Sequence, residues 1–183
     1  MKICILSDSH DNRDLLKEAG ADAHARGAEA ILHCGDIVAP STLSVLREFK
    51  LPIYVINGNN TGDMHTMYRM ASKPENYIHF YGHDADLNLA GRKIFIVHYP
   101  HYAEAMATTG NYDLVCCGHD HKTNIKLVNN IKGETTLLIN PGTVGGVAAP
   151  ATYVFGSLET MKFDEVMIGE LSELDQKQER FTI

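Results

Sequence analysis

The feature that most constrains this chain is a repeated one: short apolar runs, each ending in a polar block. Ile3-Cys4-Ile5-Leu6 runs into Ser7-Asp8-Ser9-His10. Ala30-Ile31-Leu32 runs into His33-Cys34-Gly35-Asp36, and Ile53-Tyr54-Val55-Ile56 into Asn57-Gly58-Asn59. Ile94-Phe95-Ile96-Val97 ends at His98, and Leu114-Val115-Cys116-Cys117 at Gly118-His119-Asp120-His121. Short unbroken apolar runs closed by Gly or polar residues read as strands buried on both faces. Ligands of open α/β sheets bind beyond the carboxyl ends of such strands. The Asp, Asn and His side chains of these blocks are therefore expected at one edge of a sheet.

The segments between the runs fit that reading. Asn12 to Arg26 reads as a helix with a Leu16, Ala19, Ala23 stripe and a cap at Gly27. Pro40-Ser41 opens a second helix, with Leu43, Leu46 and Phe49 on one face, and a third is expected near Asp63 to Met70. Alternating strands and helices indicate a parallel sheet. The second half changes style. Hairpin signals lie around Gly91-Arg92, Asn129-Asn130 with Gly133, and Glu159-Thr160, and a helix is expected at Tyr102 to Thr108. Such mixed strands suggest two packed sheets with helices outside. The charged tail from Ser172 to Arg180 is expected to fray.

At 183 residues the chain reads as one domain, 1–183, large enough to bury a sizeable core. Net charge is −7 and no basic run occurs, so a stable nucleic-acid complex is not expected. No apolar run approaches the ~20 residues of a membrane span. No signal-peptide pattern follows Met1-Lys2, so the expected location is the cytoplasm. Cys4, Cys34, Cys116 and Cys117 fall in or beside core strands and read as buried reduced thiols. Adjacent Cys116 and Cys117 should face opposite sides of their strand.

Imidazole, carboxylate and amide oxygen together suit divalent Mn, Fe, Co, Ni or Zn. Asp8 and His10 alternate around Ser9, and His119 and His121 around Asp120, so each pair can aim one way. The Asp36 carboxylate has two oxygens and can bridge two cations. Two metals about 3.5–4 Å apart clamp a phosphate and acidify a bridging water, whose hydroxide attacks without a protein nucleophile. Each block alone is weak; a lone Asp-x-His pair is common in loops, and Gly35-Asp36 alone is a turn. His33 reads as a hydrogen-bonded core residue, and His24, His65, His79 and His83 as surface residues.

In this order the blocks resemble the calcineurin-like metallophosphoesterase superfamily: D8-S-H10, G35-D36, G58-N59-N60, H98 and G118-H119-D-H121. Asn140-Pro141-Gly142-Thr143 extends the resemblance to its small YfcE-like phosphodiesterases, from residue 2 to about 168. The resemblance implies an α/β fold, a four-layer αββα sandwich of two mixed sheets. It implies phosphodiesterase activity on a small or exposed phosphodiester, and self-association as dimers or larger. It implies two divalent metals, manganese first, with Ni, Zn, Fe or Co as alternatives. One metal would take Asp8, His10, Asp36 and His121; the other Asp36, Asn59, His98 and His119.

The departures are specific. Asn60 stands where the superfamily has a catalytic His; Asn can hydrogen-bond a phosphate oxygen but cannot act as a general acid. Hydrolysis should then favour good leaving groups, such as aryl diesters. Asp63 is displaced from the place of the usual acidic partner. His101, in His98-Tyr99-Pro100-His101, is a candidate for the missing proton donor. The loop 145–150 lacks an Arg that relatives often carry, and Arg92 or Arg69 is a candidate replacement. Two other readings share the motifs. One is a non-catalytic metal-binding scaffold, as in the retromer subunit that resembles this family. The other is a metal-dependent nuclease, for which this chain has no basic groove.

Overall fold

A computed structural model describes residues 1–169; the charged tail Ser172 to Arg180 lies outside the described residues. The strands are β1 (Lys2–Leu6), β2 (Ala30–His33), β3 (Ile53–Val55), β4 (Ile78–Phe80), β5 (Asp84–Leu89) and β6 (Arg92–Val97). They continue with β7 (Leu114–Cys116), β8 (Thr123–Asn129), β9 (Thr135–Pro141), β10 (Thr152–Ser157) and β11 (Lys162–Met167). The helices are α1 (Arg13–Ala25), α2 (Met64–Ala71) and α3 (Pro100–Thr108), with 3₁₀ segments at Pro40–Phe49 and Pro74–Asn76.

Two sheets result. One has the order β11-β10-β1-β2-β3-β4, the other β5-β6-β7-β9-β8. In the first, β1 through β4 run parallel, and β10 joins β1 antiparallel. In the second, β6, β7 and β9 are parallel, while β5 and β8 close its edges as antiparallel hairpins.

Side-chain alternation along each strand sorts the core into layers. Ile3, Ile5, Ala30 and Leu32 face Ile94, Ile96, Leu114 and Ile139 across the gap between the sheets. Cys4, Leu6 and Ile31 turn outward under Leu16, Ala19 and Ala23 of α1 and Leu43 and Leu46 of the 3₁₀ segment. Phe95, Val97, Val115 and Cys117 turn outward under Ala103 and Ala107 of α3. This is the expected four-layer αββα sandwich. Cys116 and Cys117 do fall on opposite faces, and all four cysteines are free and buried. Burial pushes the Cys4, Cys34 and Cys117 thiols up, away from thiolate chemistry.

Local rules explain most boundaries. The Asn12 side chain accepts from the Leu15 N–H at 3.3 Å and caps α1. Gly27, at φ +86°, ends it. The segment after Pro40 differs from expectation: it is a ten-residue 3₁₀ helix. Leu43, Leu46 and Phe49 recur every third residue, which is the 3₁₀ period of 3.0 rather than 3.6. Strand β4 was not expected, because Ile78-His79-Phe80 is too short to signal itself. It forms by parallel pairing with β3.

Candidate metal centre

Both sheets contribute to one edge. The loops after β1, β2 and β3 carry Asp8, His10, Asp36 and Asn59; those after β6 and β7 carry His98, His119 and His121. The backbone there is unusual. Asp8, His10, Asp36, His119 and His121 all have positive φ, between 40° and 77°. Non-glycine residues seldom occupy that region, and such strain concentrates at functional sites. It is held by bonds between loops: Asp8 N–H to Gly35 O at 3.0 Å, His10 N–H to Asp36 O at 3.0 Å, and Gly145 N–H to Asp8 O at 3.1 Å. The His119 N–H donates to Asp8 Oδ2 at 2.9 Å, tying the second sheet to the first.

The seven side chains form two overlapping groups. In the first, His121 Nε2 lies 3.3 Å from Asp8 Oδ1 and 3.3 Å from His10 Nε2. His10 Nε2 lies 3.7 Å from Asp36 Oδ2. In the second, His98 Nε2 lies 3.5 Å from Asp36 Oδ1 and 3.0 Å from Asn59 Oδ1. His119 Nδ1 lies 2.9 Å from the same amide oxygen. Asp36 offers one oxygen to each group.

The donor inventory decides what can sit there. His98 Nδ1 is 2.8 Å from the Cys34 carbonyl, which can only accept, so Nδ1 carries the proton. In the neutral ring, Nε2 is then an acceptor facing two more acceptors, Asp36 Oδ1 and Asn59 Oδ1. His121 repeats the arrangement: Nδ1 donates to Val147 O at 2.7 Å, and Nε2 faces Asp8 Oδ1. Asp8 Oδ1 is buried and has no hydrogen-bond donor. Acceptors converging without donors are repulsive unless a cation lies between them. The residues therefore fit divalent metals. The outer hydrogen bonds on His98 and His121 are the kind that fix the tautomer of a metal-ligating His.

A supporting layer lies behind. Thr143 Oγ1 donates to Asp8 O at 2.8 Å. Asn140 Nδ2 donates to Gly118 O at 2.9 Å and to Asp120 Oδ1 at 2.7 Å, which fixes the turn bearing His119 and His121. His33 is buried beneath; its Nδ1 accepts from the Gly35 N–H at 3.3 Å, and Nε2 lies 3.2 Å from Ser9 Oγ. Burial, then repulsion from His98 against attraction by Asp36, lowers its pKa to about 3. Gly58 has no room for a side chain, since a Cβ would meet Asp36 Oδ1.

The other candidate residues make contacts of their own. Asn60 bonds to the cluster's shared carboxylate: its backbone N–H donates to Asp36 Oδ1 at 2.8 Å and its Nδ2 to Asp36 Oδ2 at 2.7 Å. It holds the Asp36 carboxylate. His101 sits exposed in the first turn of α3, with its ring against Tyr102 at 4.2 Å and Tyr99 at 5.7 Å, not against the cluster. Asp63 caps α2, accepting from Thr66 N–H at 3.1 Å and Thr66 Oγ1 at 2.6 Å. Arg92 bonds to Leu158 O and Asp113 at the opposite end of β6. Arg69 lies in the last turn of α2, beside Arg47 and Lys73. His24, His65, His79 and His83 are exposed, as expected. Sequence reasoning missed Tyr99, whose ring lies 4.7 Å from that of His119 and 5.3 Å from that of His98. Its only signal was adjacency to His98.

Comparison with known proteins points to one family. The sequence profile of the calcineurin-like phosphoesterase superfamily domain matches residues 1–162. A phosphodiesterase of Methanocaldococcus jannaschii is 28% identical over 166 residues, covering 88% of this chain and 95% of that protein. Among solved structures, a novel archaeal phosphodiesterase superposes with a TM-score of 0.83 at 24% identity, covering 92% of this chain and all 100% of the other. Vps29 of Entamoeba histolytica, complexed with zinc, gives 0.68 at 14% identity, covering 94% and 95%. The E. coli phosphoesterase YfcE gives 0.57 at 18% identity, covering 92% and 100%. At these identities the structural likenesses speak for the fold.

Proposed function

Because this chain belongs to the calcineurin-like phosphoesterase superfamily, we propose that it is a metal-dependent phosphodiesterase. The observation that carries the reading is that the Nε2 lone pairs of His98 and His121 face the oxygens of Asp36, Asn59 and Asp8, with buried Asp8 Oδ1 lacking any donor. Asp8, His10, Asp36 and His121 would hold one divalent ion, and Asp36, Asn59, His98 and His119 a second. Four of these seven ligands are imidazoles and three are oxygen donors, with no thiolate. That set suits manganese first and accepts Ni, Zn, Fe or Co. When bound, the metals supply charge for the phosphoryl oxygens and a water acidic enough to attack at neutral pH.

The chain's own residues do the rest. Asp36 spans both ligand groups and fixes their separation, and Asn60 holds that carboxylate from the side. Asn140 and Thr143 brace the loops. Asn60, at the place of the superfamily's catalytic His, cannot donate a proton as a general acid, which supports a preference for diesters with good leaving groups.

The test is hydrolysis of bis-para-nitrophenyl phosphate by metal-stripped protein, with and without manganese, beside Asp36→Asn. We expect turnover only with metal, and a loss of at least tenfold in the variant while it stays folded. Near-native turnover by Asp36→Asn with full metal loading would overturn the two-metal reading. No turnover with Mn, Ni, Co or Zn, despite two bound ions, would overturn the enzymatic one.

A further inference from the structure

A phosphodiester carries two ester arms, and the cluster is flanked by two hollows. One, of about 320 Å³, includes His121; the other, of about 210 Å³, includes His98. The second is walled in part by aromatic rings. Tyr99 and Tyr102 stand nearly perpendicular, ring centres 5.9 Å apart, with Val97, His83 and Asp84 completing the wall. Tyr99 also touches His119 and His98, so the aromatic wall begins at the cluster itself. Tyr102 is 54% exposed, a large ring left facing solvent beside a polar site. Asp84 is exposed and has no side-chain hydrogen bond or ion pair among the described residues.

These features select a ligand class. A carboxylate only accepts hydrogen bonds, so Asp84 selects N–H or O–H donors. Tyrosine faces stack on planar rings. The hollow is below the roughly 300–1,000 Å³ of a whole drug-sized site, so it takes one ring system rather than an entire nucleotide. A nucleobase with exocyclic or ring N–H groups meets all three conditions; a glycerol arm offers O–H donors but no planar ring to stack, and a simple alkyl arm offers neither.

We propose that the hollow formed by Tyr99, Tyr102, His83 and Asp84 binds the base of a nucleoside carried on one arm of the phosphodiester. The substrate class is thus a small nucleotide diester. The inference rests on the phosphodiesterase reading for its chemistry but not for its binding test. The base stacks on Tyr102 and presents N–H donors to Asp84, while its phosphoryl group lies at the cluster.

The test is calorimetric titration of manganese-loaded protein with guanosine 5′-monophosphate, phenyl phosphate and methyl phosphate. Base–aromatic stacking predicts that the guanosine ester binds about tenfold or more tightly than the methyl ester. Phenyl phosphate, which stacks but donates nothing to Asp84, should fall between. Tyr102→Ala should bring the guanosine-to-methyl ratio within twofold of one, and Tyr102→Phe should keep it. Asp84→Ala should bring guanosine down to the level of phenyl phosphate. Equal affinity for guanosine and methyl esters, or a ratio that survives Tyr102→Ala, overturns the subsite. Phenyl phosphate matching guanosine in the wild type overturns the nucleoside assignment. Selective guanosine binding without hydrolysis of any diester would overturn the enzymatic reading and leave the subsite standing.

Discussion

His33 shows how much of this site is decided beneath its surface. It is fully buried, with both ring nitrogens engaged by Ser9 and the Gly35 N–H. The Gly35 bond requires a lone pair on Nδ1, so protonation breaks a contact and places a charge in an apolar layer. Burial is the main cause of the fall in its pKa to about 3. In the unfolded chain the value is about 6.5. Between these limits the unfolded state binds more protons than the folded one, so stability falls as pH falls. The contribution is complete above pH 6.5 and is lost toward pH 3, at about 1.4 kcal/mol per unit. Urea unfolding of metal-stripped protein from pH 6.5 to 4 should therefore show a slope about one proton steeper than that of His33→Gln, which keeps a donor for Ser9 but cannot titrate. Parallel profiles would show that His33 is not the titrating group. His33 was legible as a structural residue because it sat inside a strand motif. Its tautomer was not, because that depends on Gly35 and Ser9, which reach it only through the fold.

At the scale of elements, what was legible followed from periodicity, and what was not followed from pairing. The apolar runs announced β1, β2, β3, β6 and β7, and the ends of those strands announced the candidate ligands. The orientation of Asn60 and His101 was not announced, because each depends on a partner distant in sequence or on a ring neighbour. The hairpin between β5 and β6 shows the same limit more finely. Its turning residues are Ala90 and Gly91, at φ 50° and 77°, one place earlier than Gly91-Arg92 suggested. Two consecutive positive φ values define a type I′ turn, for which Asn-Gly is the preferred pair. Alanine has no side-chain oxygen to ease the left-handed conformation, whereas asparagine tolerates it. Ala90→Asn should stabilise the protein by about 0.5–1 kcal/mol, judged by the usual size of turn effects. For a chain of this length that is a rise of about 2–4 °C in Tm. An unchanged or lower Tm would mean that the turn contributes no strain.

The whole molecule is two sheets packed over one interlayer core, with mutually repelling groups gathered at one edge. Asp8, Asp36 and Asn59 come from the loops of β1, β2 and β3, and His98, His119 and His121 from those of β6 and β7. In the metal-free protein the junction brings together lone pairs on Asp8, Asp36, Asn59, His98 and His121, and buried Asp8 Oδ1 has no donor. A cation that neutralises them also crosslinks the two sheets, so metal affinity and folding stability are linked. A ligand that binds only the folded state adds about 2.7 kcal/mol at one hundred times its Kd. For a domain of this size we expect manganese to raise Tm by about 5–10 °C, and a chelator to reverse the rise. His121→Ala removes a ligand of one group only. It should bind fewer ions by elemental analysis and recover only part of the Tm increase. Asp36→Asn weakens both groups and should recover less. The ranking separates a crosslinking pair of metals from a single surface ion: a lone ion at the first group would make His121→Ala as damaging as Asp36→Asn. A metal-independent Tm would mean that the sheets are held by the interlayer core of Ile3, Ile5, Ile94 and Ile139 alone.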